Sequence, residues 1–156
     1  MYLVIVDLLA QKDTKEILKQ LNRCYPFPEN EIEHKVQELL GPINKRIVLQ
    51  AIEAIEMGDI QRLGQLMVEA QTLFDRYAVP ACPNELEAPI LHWILNNERI
   101  KPHILGGKGV GSQGDGSAQF LTRSREDQQA LIEIVEGDYK MPCLGLIIHA
   151  DQRMSI

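Results

Sequence analysis

Residues 106–116 read Gly-Gly-Lys-Gly-Val-Gly-Ser-Gln-Gly-Asp-Gly and hold six of the eleven glycines in this 156-residue chain. Bare backbone at that density has one well-known chemical use. Successive exposed N–H groups form a concave surface that binds anions, phosphate above all. Gly109, Gly111, Ser112, Gln113, Gly114 and Asp115 are the residues so placed, with Lys108 beside them as a cation for a phosphate or a solvated lysine at a strand end. A plain hairpin needs only about two to five loop residues and one or two glycines. Each surplus glycine costs about 0.5–1 kcal/mol of chain entropy. Two readings therefore stand, a ligand-contacting loop and a purely structural connection.

Two familiar phosphate loops are excluded. A Walker loop needs GxxxxGK[ST], but Lys108 precedes most of the glycines and no Lys-Ser or Lys-Thr follows. A dinucleotide fingerprint needs a strand before and a helix after, whereas Ser117 opens an extended apolar segment. Asp115 would repel a phosphate unless Mg²⁺ or a sugar hydroxyl lay between, or else it is a turn residue facing solvent. The other reactive side chains offer no rival chemistry. Cys24, Cys82 and Cys143 form no CxxC pair and sit at no metal-ligand spacing from a histidine. His34, His92, His103 and His149 make no HExxH motif, and no serine lies in a GxSxG elbow. No metal site is expected.

Composition sets the remaining bounds. Sixteen Lys plus Arg against 22 Asp plus Glu gives a net charge of -6 with only 5% aromatics, which argues against a nucleic-acid surface. The apolar runs MYLVIV and LGLII are too short to span a bilayer and read as buried strands. Scattered thiols and no signal peptide suit a reducing cytoplasm. Met1 runs straight into a strand, as in a complete protein or in a piece of a larger one.

The elements that must position the loop follow from periodicity. Tyr2 to Val6 reads as a strand. Asp13, three residues before Glu16, predicts a reciprocal capping box and a helix to Arg23 with Ile17, Leu18 and Leu21 inward. Glu31 to Tyr77 is helical, divided at Gly41-Pro42, where Pro42 suits the first turn of a new helix, and at Gly58-Asp59, where Asp59 suits an N-cap. Ile60, Leu63, Met67, Ala70, Phe74 and Tyr77 are expected on one inward face. A further helix from Asn84 carries Leu86, Ile90, Trp93 and Ile94. Pro102 to Leu105 and Ala118 to Leu121 are extended, Ser124 caps a helix to Glu136, and Cys143 to His149 is the last strand. This order predicts an α+β domain, ferredoxin-like, with a four-stranded, mainly antiparallel sheet, an inserted helical block and helices on one face.

The strand, the glycine stretch, and the strand and helix after it resemble the third conserved motif of the GHMP kinases. Val4-Ile5-Val6-Asp7 with Lys12-Asp13-Thr14-Lys15 is similar to the strand and "KDT" helix start that open the C-terminal half of that superfamily. Gly58-Asp59, Leu63 to Met67 and Ala81-Cys82-Pro83 are similar to its helical block. The resemblance implies residues 1–156 as a single domain like the GHMP kinase C-terminal domain. The ATP-binding domain, with its PxxxGLGSSA loop, is absent from this sequence. It implies a portion of an ATP-dependent small-molecule kinase, of the sugar-kinase type, inactive alone, with ATP and Mg²⁺ as cofactors of the complete enzyme. The implied partners are the missing N-terminal half, or a second copy through exposed apolar surface, and a small-molecule substrate. Lys12, Asp13 and Thr14 join the glycine loop as secondary site candidates. Ser112, Gln113 and Asp115 depart from the commoner Gly/Ala loop and point to a sugar-kinase subgroup. A non-catalytic binding module with the same sheet is the alternative reading.

Overall fold

The computed structural model describes residues 1–149. The first strand, β1 (Tyr2–Asp7), alternates Val4 and Val6 into the core. Asp13 then caps α1 (Thr14–Arg23) by accepting from the Glu16 N–H at 3.0 Å. The capping box is only half formed. The Asp13 N–H donates to Glu85 Oε2 at 2.7 Å, while Glu16 turns to Lys19 and Gln20. Leu18 also departs from expectation, being exposed, while Ile17 and Leu21 are buried.

The helical block is α2 (Glu31–Glu38), α3 (Asn44–Met57) and α4 (Ile60–Tyr77). No new helix starts at Pro42. The missing proline N–H is absorbed by a wide π turn, Leu39–Ile43, so the chain runs helical from α2 into α3. Gly58, left-handed at φ 70°, ends α3, and Asp59 caps α4 through the Arg62 N–H at 2.8 Å. Most of the predicted stripe on α4 does face inward, Leu63 and Ala70 toward α3 and Phe74 and Tyr77 toward α1 and α2, and a second buried face looks onto the strand Ile104–Gly109. Gly64, Leu66, Met67 and Gln71 are buried, whereas Ile60 stands at the surface.

The helix predicted from Asn84 breaks in two at Ala88, giving α5 (Pro83–Leu86) and α6 (Pro89–Leu95). Leu86, Leu91 and Ile94 face inward and Trp93 outward, its ring edge-on to Tyr139 at 4.8 Å. The closing elements are β2 (Ile104–Gly109), β3 (Ser117–Thr122), α7 (Arg125–Tyr139) and β4 (Cys143–Ile147). Strand β2 begins and ends later than predicted, so the first four residues of the glycine stretch lie within it.

The sheet order is β2-β3-β1-β4 with every neighbouring pair antiparallel, the ferredoxin-like order. Cross-strand partners share a face. Val4, Phe120 and Gly145 therefore point together toward α7, and Phe120, Val4, Val6, Leu91, Ile94, Leu131 and Val135 form the main core. Helices do not keep to one side, because α4 packs against the opposite side of β2 at Gly106. The rest of that second face, at β1 and β4, leaves Leu144 and Leu146 exposed.

The three thiols are free. Burial pushes the Cys24 and Cys82 thiols up, and burial, with Glu136 adding to it, pushes Cys143 up to about 12. Since the thiolate is the nucleophile, iodoacetamide at pH 8 is expected to alkylate none of them rapidly until the chain unfolds. One fast native thiol, read by mass spectrometry, would contradict this.

Candidate functional site

The glycine stretch divides into a strand half and a loop half. In the strand half, glycine serves packing. A Cβ at Gly106 would strike the Gly64 carbonyl of α4, and one at Gly107 would come within 2.6 Å of the Phe120 ring. In the loop half, Gly111 and Gly114 take φ of 62° and 71°, where an L side chain is strained. Gln113 adopts φ 66° without being glycine, a conformation that persists only where surroundings impose it.

The Gln113 N–H closes the turn on the Val110 carbonyl at 3.2 Å, and two lysines flank it. From one side the Lys12 ammonium donates to the Gln113 carbonyl at 2.6 Å. From the other, Lys108 Nζ donates to the Gly109 carbonyl at 2.7 Å. Burial alone lowers the pKa of each. Neither forms a salt bridge among the described residues. A half-buried ammonium held only by a backbone carbonyl keeps most of its charge for another partner. Lys108, Gly111 and Gln113 border a cleft of about 230 Å³ whose far wall is the π turn and its flanks, at Leu39, Leu40 and Asn44. On the other side Lys12, Asp13, Thr14 and Glu85 border an open hollow.

Gln113 is only 6% exposed, and its Oε1 finds no hydrogen-bond partner. It lies over Gly109, filling the place a side chain there would take. Asp115 is half-buried and engaged within the fold. Its Oδ1 accepts from the Leu91 N–H at 2.8 Å, in the first turn of α6, where Ala88 provides no side-chain cap. Asp115→Ala is expected to cost about 1 kcal/mol in urea unfolding and to speed exchange of the Leu91 amide. Asp115→Asn, which keeps the acceptor, should recover most of that loss.

Six candidates are thus brought together at the loop: Lys12, Lys108, Gly109, Gly111, Gln113 and Gly114. Asp13 and Thr14 sit at the start of α1, Asp13 spent on capping and Thr14 exposed. Ser112 is half-buried within the loop. The π turn is the part that sequence reasoning missed. Its signal was Pro42 inside an otherwise unbroken helical run, and such widened turns are frequent at functional sites.

A ferredoxin-like sheet carrying an inserted helical block and a glycine loop is the arrangement that the resemblance to the GHMP kinases implies. Comparison with known proteins agrees. The chain is 26% identical over 147 residues to a galactokinase of Thermotoga maritima, covering 93% of this chain and 38% of the relative. Mevalonate kinase of L. major, solved with R-mevalonate, superposes with a TM-score of 0.65 at 22% identity, over 96% of this chain and 43% of that one. Lactococcus lactis galactokinase, solved with galactose, gives a TM-score of 0.63 at 12% identity, over 92% and 44%. No family model matches the chain. The resemblance to the GHMP kinase superfamily therefore holds in sequence and in fold. The chain spans about two fifths of the length of these relatives, consistent with one half of such an enzyme. Among the described residues, no helix is long and apolar enough to cross a membrane.

Proposed function

We propose that this chain is the C-terminal portion of an ATP-dependent small-molecule kinase, of the sugar-kinase type, whose glycine loop closes one side of the phosphate cleft. The observation that carries the reading is the loop held between two ammonium groups that meet no carboxylate among the described residues. Phosphoryl transfer asks mainly for positioning and charge stabilisation, which lysines and backbone N–H groups supply. In the complete enzyme Mg-ATP would supply the γ-phosphoryl group, with Lys108 and Gly111 at the cleft on one side of the loop to meet phosphate oxygens and Lys12 supporting the loop from the hollow on the other. The residues here fit the anion rather than the metal. Among the described residues no group of three or more His, Cys, Asp or Glu gathers, and Asp115 is engaged with Leu91.

The partner in this reading is the other half of the kinase, packing on the open face of β1 and β4, where Leu144, Leu146 and Ile148 are exposed. The working compartment is the cytoplasm, in keeping with three free thiols. Alone, the chain should turn over no ATP.

The test is an NMR titration with pyrophosphate and Mg-ATP, followed by mixing with the N-terminal half of a galactokinase. Shifts at the Gly109, Gly111 and Gly114 amides, with turnover of sugar and ATP only in the mixture, are the expected result. Loop shifts without turnover in any mixture would instead favour a non-catalytic binding module. Loop amides that ignore both ligands would overturn both readings.

A further inference from the structure

At the opposite end of β2 from the glycine loop lies a cavity of about 330 Å³, between α4, α6 and the outer edge of the strand. Its walls are mainly apolar: Val68 from α4, Leu95 from α6, Ile104 and Leu105 from β2. Three polar features converge on it. The first is Asp75, whose Oδ1 accepts from Gln71 Nε2 at 2.8 Å and stands 3.5 Å from His92 Nε2. The second is the ammonium of Lys101, already taken by Glu98 at 2.6 Å. The third is the free edge of β2. The Gly109 N–H points away from β3 to Gln71 Oε1 at 2.7 Å, and alternation along the strand turns the Gly107 N–H the same way, toward the cavity.

An apolar cavity of this size with a few convergent polar groups is the usual form of a small-ligand site. Its charge selects the ligand. With Lys101 held by Glu98, the Asp75 carboxylate is the lining charge that meets no Lys or Arg among the described residues. The Asp75 Oδ2 accepts no hydrogen bond among the described residues.

We propose that this cavity is a second ligand site, separate from the phosphate cleft, for a small primary ammonium carried on an aromatic or branched apolar body. The ammonium meets Asp75, the body lies against Leu95, Val68 and Leu105, and any hydrogen-bond acceptor on it reaches the Gly107 N–H. Gln71 joins Asp75 to Gly109, so occupancy is also felt at the residue where the glycine loop begins. The inference stands whether or not the chain is part of a kinase.

Tryptamine and its neutral isostere tryptophol are the probes, titrated into the ¹⁵N-labelled chain. Tryptamine should shift the Gly107 and Gly109 amides and the Gln71 side-chain amide, and bind about ten-fold tighter than tryptophol. Asp75→Asn keeps the acceptor for Gln71, so the fold survives, and should bring the two probes to equal affinity. Val68→Arg, at an exposed rim position, should abolish tryptamine binding without disturbing the rest of the spectrum. Equal affinities in the wild type, an undiminished preference in Asp75→Asn, or shifts that spare Gly107 and Gly109 would each overturn the proposal.

Discussion

Gly106→Ala should unfold the domain or cost it about 3 kcal/mol or more, although it adds one methyl group. That methyl would fall inside the Gly64 carbonyl of α4, and a Cβ at Gly64 would strike the Leu105 backbone in return. Neither obstacle is a side chain that can rotate aside. To admit the methyl, α4 must lift from β2, and the Gln71 bond to the Gly109 N–H would go with it. Relief by a rotamer change is the cheap route in most small-to-large substitutions, and here it is closed. Gly137→Ala is the matched control. Gly137 is exposed on α7 with nothing within 4 Å of a new Cβ, so alanine should stabilise by about 0.5–1 kcal/mol through helix propensity. Urea unfolding of the two variants decides the matter. A Gly106→Ala protein as stable as wild type would mean that α4 does not sit on β2 as described.

The same pair of glycines shows where sequence reading stopped. Local signals were legible because their causes are local. Asp13, Asp59 and Ser124 cap the helices that follow them, and Val4 and Val6 alternate as a strand must. The order of elements, with a helix between β3 and β4 and a short loop between β2 and β3, was enough for the antiparallel ferredoxin-like sheet. What failed depends on partners far along the chain. Within the glycine stretch, Gly106 is required by a residue 42 positions earlier in the sequence, a packing demand that the composition of the stretch does not reveal. Asp115 serves a helix start 24 residues away, which no pattern around it foretells. Spacing on α4 gave the helix and the face it turns to the other helices, but not the second buried face, because Gly64 and Gln71, neither of them apolar markers, meet the strand. Pro42 ends helices by its own chemistry, and only the surrounding packing lets a π turn carry the chain past it. For the site, the glycine positions and Lys108 were visible in the sequence, but not the arrangement that leaves two lysines pressing on one loop.

Lys108→Met should then separate function from stability. Lysine here pays twice in the free protein, once in desolvation of its ammonium and once in side-chain order, and gains a single bond to the Gly109 carbonyl. Methionine keeps the stem, discards the charge and loses that bond, so stability at pH 7 should stay within about 1 kcal/mol of wild type. Pyrophosphate affinity should fall by about ten-fold or more, because a charge-assisted contact in a half-buried cleft is lost. Lys12→Met should weaken binding less, since Lys12 faces a more open hollow. The pH dependence has a fixed sign. Burial holds the Lys108 pKa below the ordinary lysine value. Anion binding needs the charged form, so affinity is complete below that lowered pKa and fades as pH rises through it. For folding, the penalty of the desolvated cation is complete below the lowered pKa. It disappears as pH rises from there toward the unfolded value, so wild type should gain stability relative to Lys108→Met in alkaline solution. Calorimetric titration of pyrophosphate and urea unfolding, each run on both proteins at neutral and alkaline pH, measure the two effects. Undiminished pyrophosphate binding by Lys108→Met would remove Lys108 from the site, while a collapse in its stability would show that the ammonium holds the loop rather than waits for a phosphate.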